Sequence, residues 1–283
     1  MKFIIAIFLL LALSGFGLYL YPDYARTYTE VIRLNRISGP KDLPAHFRIT
    51  HMNSSGSSQF SEAGLKKMLK VIDKPKVYII DLRAESHGFL NGEPISWYRV
   101  KNWLNKGKDF EEILSDEHQR LDELSHKFFA ILYKKKGVKP FFYRIREVAS
   151  AEEIAHRNGV EYVRFPVDDA CRPSDAAVDA FVSFVSNLDD NAWLHFHCSG
   201  GKGRTTLFLA MYDIMRNARF DALETIIDRQ NAIGGIHLLN KKSHHVWKHE
   251  ENAKRSALVR KFYEYCRENP YFSISWTEWL KQK

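Results

Sequence analysis

Between Trp193 and Thr206 the chain reads WLHFHCSGGKGRTT, and this stretch constrains the fold more than any other. A short apolar run ends at Cys198. Five residues follow, Ser199, Gly200, Gly201, Lys202 and Gly203, and then Arg204, Thr205 and an apolar segment with helical spacing. The pattern predicts a strand, a tight loop and the start of a helix. Glycines let such a loop turn its backbone N–H groups toward one point, and the helix directs its N-terminal dipole there. A cysteine at that point is favoured as thiolate, and a guanidinium six residues later can clamp two oxygens of a phosphate. A nucleophile, an anion cradle and a fixed cation within seven residues point to phosphoryl transfer through a covalent cysteine intermediate. A nucleotide-binding loop would need Lys-Ser/Thr after its second glycine, which is absent here.

The rest of the chain frames that loop. Residues 3–20 form an apolar run behind Met1-Lys2, which reads as a signal peptide for export or as an uncleaved membrane anchor. Residues 21–42, with Pro22 and Pro40, read as a linker, and residues 43–283 as one catalytic domain. The 283-residue length suits one sizeable domain. A formal net charge of +8 favours a polyanionic partner, and no basic motif interleaved with aromatics points to nucleic acid. The three cysteines, Cys171, Cys198 and Cys266, make no disulfide framework. The sequence leaves the oligomeric state open, and nothing in it calls for a metal or other cofactor.

Alternation and capping signals predict a helix from Ser61 to about Ile72, a buried strand over KVYIID and a charged loop after it that carries Asp81 and Arg83. A long helical region follows over 99–136, then strands over KPFFYRIREV and EYVRFPV. Helices are expected over DAAVDAFVSFVSNL, over DALETIIDRQNAIGGIHLL and from Val246 to Cys266, with the tail docking through Trp276 and Trp279. Between EYVRFPV and the next helix stands Asp168-Asp169-Ala170-Cys171-Arg172-Pro173. A carboxylic acid on a loop just upstream of the nucleophile's strand can protonate a leaving alkoxide. Asp169 and Asp168 are the two candidates. On the last long helix Lys248 and Arg255 share a face, with Asn252 between them.

The His-Cys-x5-Arg-Thr string is the signature of the cysteine phosphatase superfamily. Together with DLRAESHGFLNG, FRIT, SGSSQFSEAGL, VDDACRP and RQNAIGG, it resembles the bacterial protein-tyrosine-phosphatase-like inositol polyphosphate phosphatases from about residue 43 to the end. The resemblance implies an α/β, protein-tyrosine-phosphatase-like fold: a central mixed sheet flanked by helices, with a small additional β-rich subdomain. It implies a phosphatase acting on myo-inositol hexakisphosphate or lower inositol polyphosphates without a metal, with phosphotyrosine or phosphoinositide as the alternative substrate. A phosphate-binding module without turnover is a reading of another class. By position, Cys198 would attack phosphorus, Arg204 would hold the phosphoryl group, Asp169 would protonate the leaving oxygen, Thr205 would bond near the thiolate and His197 would help to stabilise it. Ser199, Gly200, Gly201, Lys202 and Gly203 would cradle the phosphate. Arg48, Lys248 and Arg255 would hold other phosphates, with Asp81 near a ring hydroxyl or phosphate.

Two departures stand out. The family's acid loop usually reads Asp-His-x-x-Pro with an aromatic before the proline, whereas here Ala170 follows Asp169 and Arg172 precedes Pro173. Arg172 is thereby a further candidate phosphate contact. Lys202 lies inside the nucleophile loop, as in phosphoinositide phosphatases of the superfamily, where its ammonium favours a multiply phosphorylated ring. Cys171 in the acid loop is a candidate oxidation partner for Cys198.

Overall fold

The computed structural model describes residues 30–283 apart from 36, 40, 135–138 and 241. The apolar leader lies outside the described residues. Five strands form the main sheet in the order β10-β4-β11-β3-β2. They are β2 (Arg48–Ile49), β3 (Ser54–Ser58), β4 (Val77–Arg83), β10 (Glu161–Val167) and β11 (Trp193–Cys198). All pair in parallel except the edge strand β2. Parallel strands need both faces covered, and the period of two sorts the side chains accordingly. On β4 and β11, Val77, Ile79 and Trp193 face one core with helices α1 (Glu62–Ile72) and α3 (Ala151–Arg157). Ile80, Leu82, Leu194, Phe196 and Cys198 face the larger core. That core is closed by α4 (Asp175–Ser186), α5 (Gly203–Asn217), α6 (Leu223–Ala232), α7 (Val246–Glu268) and α8 (Trp276–Lys281).

Several helix starts are written in the sequence. Ser61 accepts from the Gly64 amide at 3.0 Å to open α1. Reciprocal capping boxes, Ser150 with Glu153 and Ser275 with Glu278, open α3 and α8. The tail docks as expected: Trp276 is fully buried against Phe262 and Tyr265, and its indole N–H donates to Asp175 at 2.9 Å.

A second, six-stranded sheet has the order β8-β7-β1-β6-β5-β9. Its strands are β1 (Val31–Leu34), β5 (His87–Leu90), β6 (Glu93–Tyr98), β7 (Phe129–Lys134), β8 (Pro140–Arg144) and β9 (Val148–Ala149). Helix α2 (Phe110–Ser125) closes one face through Leu121 and Leu124, against Leu90, Ile95, Trp97 and Leu132. This is the additional β-rich unit. Val31–Leu34, expected within a linker, is instead an inner strand paired with β6 and β7. The helix expected over 99–136 is also interrupted. It is a 3-10 turn at Val100–Asn102, then α2, then strand β7. Phe129, Ala130, Ile131 and Leu132 alternate exposed and buried, and β1 and β8 supply their backbone partners. Apolar runs of this length fit either period, and pairing across the sheet decides.

Replacing Trp276 by alanine removes a fully buried ring and leaves the Asp175 carboxylate without its indole partner. The expected loss is about 3–5 kcal/mol of stability, read as a lower urea midpoint at unchanged slope.

Candidate functional site

The central strand β11 ends at Cys198, and residues 199–202 turn the chain into α5. Gly201 has φ +72°, and a Cβ there would lie 2.3 Å from the Ser58 amide nitrogen, so the loop reaches this position only with glycine. The Cys198 sulfur is buried and accepts from the Gly201 N–H and the Thr205 hydroxyl, each at 3.2 Å. The N-terminus of α5 stands beside it. Ser199 donates to Asn35 Oδ1 at 3.1 Å, so the segment before β2 also braces the loop.

Arg204 is fully enclosed. Its guanidinium meets Glu85 in a fork, Nη1 to Oε2 at 2.6 Å and Nη2 to Oε1 at 3.0 Å, and Nη1 donates to the Val167 carbonyl at 2.8 Å. Nε is buried with no hydrogen-bond partner among the described residues. Glu85 also accepts from Arg83 Nε at 2.9 Å. Burial would raise the Glu85 carboxyl, but Arg204 and Arg83 hold it far below the usual carboxylate range. Arg83 in turn donates to Gln59 at 2.7 Å.

The acid loop lies across from this arginine. Asp169 Oδ1 is 3.3 Å from Arg204 Nη2. Asp168, with Arg172 and Pro173, lines another cavity of about 600 Å³. Arg172 is tied to Asp175 and to the Pro173 carbonyl rather than turned to the nucleophile loop. Burial pushes the Cys171 thiol up to about 12, with Glu251 adding to the shift, so it is protonated at neutral pH and a poor oxidation partner.

A cleft of about 430 Å³ opens beside Asp169 and Gly203, lined by Tyr98, Lys101, Asn102, Lys248 and Arg255 among others. Arg255 is largely buried, bonds Asn252, and places Nη1 2.9 Å from where a Cβ on Gly203 would stand. Lys248 and Lys202 are exposed. The structure thus brings Cys198, Arg204, Asp169, Thr205, Gly203, Lys248 and Arg255 together.

Three expected residues are placed differently. Asp81 lies within the sheet, fully buried, with Oδ2 bonded to His87 Nε2 at 2.6 Å and the Tyr162 hydroxyl at 2.9 Å. Its Oδ1 accepts from the Arg83 amide at 2.9 Å. A carboxylate so enclosed supports the site from within and does not reach a ring hydroxyl. Arg48 spends its Nη donors on the loop itself, on the Gly201 carbonyl at 2.7 Å and Thr206 Oγ1 at 3.1 Å. Burial lowers its guanidinium to about 10, opposed by Cys198. His197 is fully buried, and burial pulls it down to about 4 although Asp81 lies 3.9 Å away. It is neutral at pH 7 and lends no positive charge to the sulfur. Glu85, Lys101, Trp103 and Asn35 were not singled out from the sequence. Glu85 was within reach, since it lies in the charged loop after β4. Asn35 sits in a stretch with no local signal.

Because His197 protonates less readily folded than unfolded, stability is full above about pH 6.5 and falls as pH drops toward 4, by on the order of 3 kcal/mol. Neither His197 nitrogen has a hydrogen-bond partner among the described residues, so His197→Phe should make the fall between pH 6.5 and 4 shallower in urea titrations. An unchanged slope would assign the acid loss to other groups.

The chain is similar to several known proteins. A model of the PTP-like phytase family, described as inositol hexakisphosphate, matches residues 80–216. A PTP-like phytase from Bdellovibrio bacteriovorus is 33% identical with a TM-score of 0.80, over 90% of this chain and 96% of that one. The PTP-like myo-inositol phosphatase from Mitsuokella multacida, solved with myo-inositol-(1,3,4,5)-tetrakisphosphate, is 33% identical with a TM-score of 0.85, over 89% of this chain and 48% of that one. The effector protein HopD2 of Pseudomonas syringae pv. tomato is 28% identical over 247 residues, 81% of this chain and 53% of that protein. The chain thus spans about half the length of HopD2 and of the Mitsuokella protein.

Proposed function

Because the chain belongs to the family of protein-tyrosine-phosphatase-like phytases, we propose that it hydrolyses phosphomonoesters of myo-inositol hexakisphosphate or lower inositol polyphosphates through a phosphocysteine. The observation that carries the reading is the convergence on one loop of the Cys198 sulfur, the Arg204 guanidinium and the Asp169 carboxylate, the last two 3.3 Å apart. Cys198 as thiolate attacks phosphorus, forming the S–P bond as the P–O bond to the ring breaks. Loop N–H groups and Arg204 Nε meet the charge on the equatorial oxygens. Asp169 gives its proton to the leaving oxygen. As a carboxylate it then takes a proton from water, whose oxygen attacks phosphorus and releases inorganic phosphate with Cys198 regenerated. The charge is met by arginine and backbone donors, so the chemistry needs no metal.

The cleft supports a polyanionic substrate. Lys101, Lys248 and Arg255 line it, and Lys202 is exposed on the nucleophile loop. Cations at several azimuths around one nucleophile suit a ring that carries several phosphates. We further propose that residues 1–20 direct export, with retention as a membrane anchor the competing fate.

Purified protein should release phosphate from inositol hexakisphosphate in the presence of chelator, and Cys198→Ser should abolish release. Preference for a phosphotyrosine peptide or a phosphoinositide would move the chain to a signalling substrate. Binding without turnover in the unaltered protein would make it a phosphate-binding module. Lys202→Ala should lower kcat/KM for inositol hexakisphosphate roughly tenfold, the value of about 1.4 kcal/mol, and lower that for a simple monophosphate ester much less. Equal losses on both would remove Lys202 from substrate selection.

A further inference from the structure

Within the acid loop the Cys171 amide donates to the Asp168 carbonyl at 3.0 Å, which closes a turn over Asp169 and Ala170 and leaves the Asp169 carbonyl free for a partner outside the loop. Asp169 has its side chain 46% exposed, and its Oδ1 meets only its neighbour's amide, Ala170 N–H at 3.1 Å, and Arg204 at 3.3 Å. Ala170 adopts φ +65°, a left-handed conformation that a residue with a Cβ rarely takes. The register of β10 slips between Arg164 and Val167, just before the loop, which re-aims the strand end. A contact from outside the loop to the Asp169 peptide further fixes where its carboxyl group stands.

That outside contact comes from the β-rich unit. Trp103, in the turn after β6, donates its indole N–H to the backbone carbonyl of Asp169 at 2.9 Å. The ring is itself fixed. It meets Trp247 of α7 edge to face, centroids 5.4 Å apart at 78°. Lys101 Nζ lies 4.5 Å from the Trp103 centroid and 4.7 Å from that of Trp247, and Lys106 Nζ lies 3.4 Å from Trp103. Cations over indole faces at such distances attract. The two residues before Trp103, Lys101 and Asn102, both have positive φ, +59° and +62°, and neither is glycine. Backbone held in sparsely populated regions persists where the surroundings over-determine it, and such positions cluster at active sites. Two strained segments distant in sequence therefore meet at one hydrogen bond, between an indole N–H and the peptide oxygen of the proposed acid.

We propose that Trp103 is a positioning residue for the general acid: its N–H fixes the Asp169 peptide and thereby sets the carboxyl group beside Arg204 for protonation of the leaving oxygen. The proposal rests on the phosphatase reading above. It makes a claim that a merely structural tryptophan does not. The contact bears on the leaving group in the step in which the proton passes from Asp169 to the leaving oxygen as the P–O bond breaks and the S–P bond forms, whereas activation of water by the same carboxylate is common to every ester. The loss in kcat/KM, which reports the steps up to departure of the leaving group, must therefore depend on that group. An inositol alkoxide leaves poorly without a proton, whereas a nitrophenolate leaves readily without one.

The test compares inositol hexakisphosphate with p-nitrophenyl phosphate. Trp103→Phe keeps an aromatic ring against Trp247 and removes the N–H. A general acid contributes roughly 10²–10⁴-fold, so partial misplacement should lower kcat/KM on the inositol ester about 10- to 100-fold, with a much smaller loss of kcat/KM on the nitrophenyl ester. In a double-mutant cycle, Trp103→Phe added to Asp169→Asn should bring little further loss on the inositol ester, because both act on one proton transfer. Equal losses of kcat/KM on the two esters, or full additivity with Asp169→Asn, would overturn the proposal, as would unchanged kcat/KM on both. Thermal melts check the fold of each variant. Trp103→Tyr, which keeps a ring but moves the donor, carries the same expectation and stands in if the phenylalanine form does not fold. Absence of turnover on either ester by the unaltered protein would sink the phosphatase reading instead, so the two failures are distinguishable.

Discussion

Glu85 sits buried between Arg83 and Arg204, and much of the site depends on that one carboxylate. Two guanidiniums can lie in a dry interior only if a counter-charge lies with them. Glu85 supplies it, and in doing so fixes the plane of Arg204 by a two-point fork. Removing one partner from such a set leaves an uncompensated buried charge and costs about 3–5 kcal/mol. The arrangement serves geometry as much as stability. An arginine that must meet a phosphoryl group has to be aimed before the group arrives, and a fork to a buried carboxylate aims it.

The same polar network ties the two sheets together. Arg164 donates to the carbonyl oxygens of Arg83 at 2.9 Å and Glu85 at 3.3 Å, and its Nη1 meets Glu117 of α2 at 2.8 Å. Glu117 also accepts from the His87 amide at 2.8 Å, and His87 bonds Asp81. From Arg204 to α2 the chain of contacts is continuous and buried, and every link is charged or charge-assisted. The β-rich unit is therefore joined to the nucleophile's sheet by more than apolar packing. It braces the nucleophile loop from a second direction through Asn35, and meets the acid loop from a third through Trp103. The cleft is built between these attachments, with cations from both units on its walls.

Local chemistry made part of this legible in the sequence. Cys198, the glycines and Arg204 fall within seven residues, so one strand, one turn and one helix start suffice to bring them together. The choice of Asp169 over Asp168 came from resemblance to the family's acid loop, through the spacing to Pro173, and the structure sets Asp169 beside Arg204. Capping boxes at Ser150 and Ser275 are equally local. Phe129–Lys134 was not legible, since its apolar run satisfies a helix period and a strand period alike, and β1 was hidden among residues that read as a linker.

The sequence by itself determined the nucleophile loop and the strand and helix that carry it, because these depend on residues near one another in the chain. The tertiary structure alone decided which charges reach the cleft. Asp81 looked available and is buried in a network, Arg48, expected to hold a substrate phosphate, is spent on the nucleophile loop, and His197 is neutral because burial strips it of its proton. Burial and partnership are set by elements far apart in sequence: Glu85 with Arg204, Ser199 with Asn35, Asp169 with Trp103. Desolvation acts on where a side chain ends up and not on what it is, and for that reason a list of titratable residues did not separate those that hold the loop from those that meet the substrate.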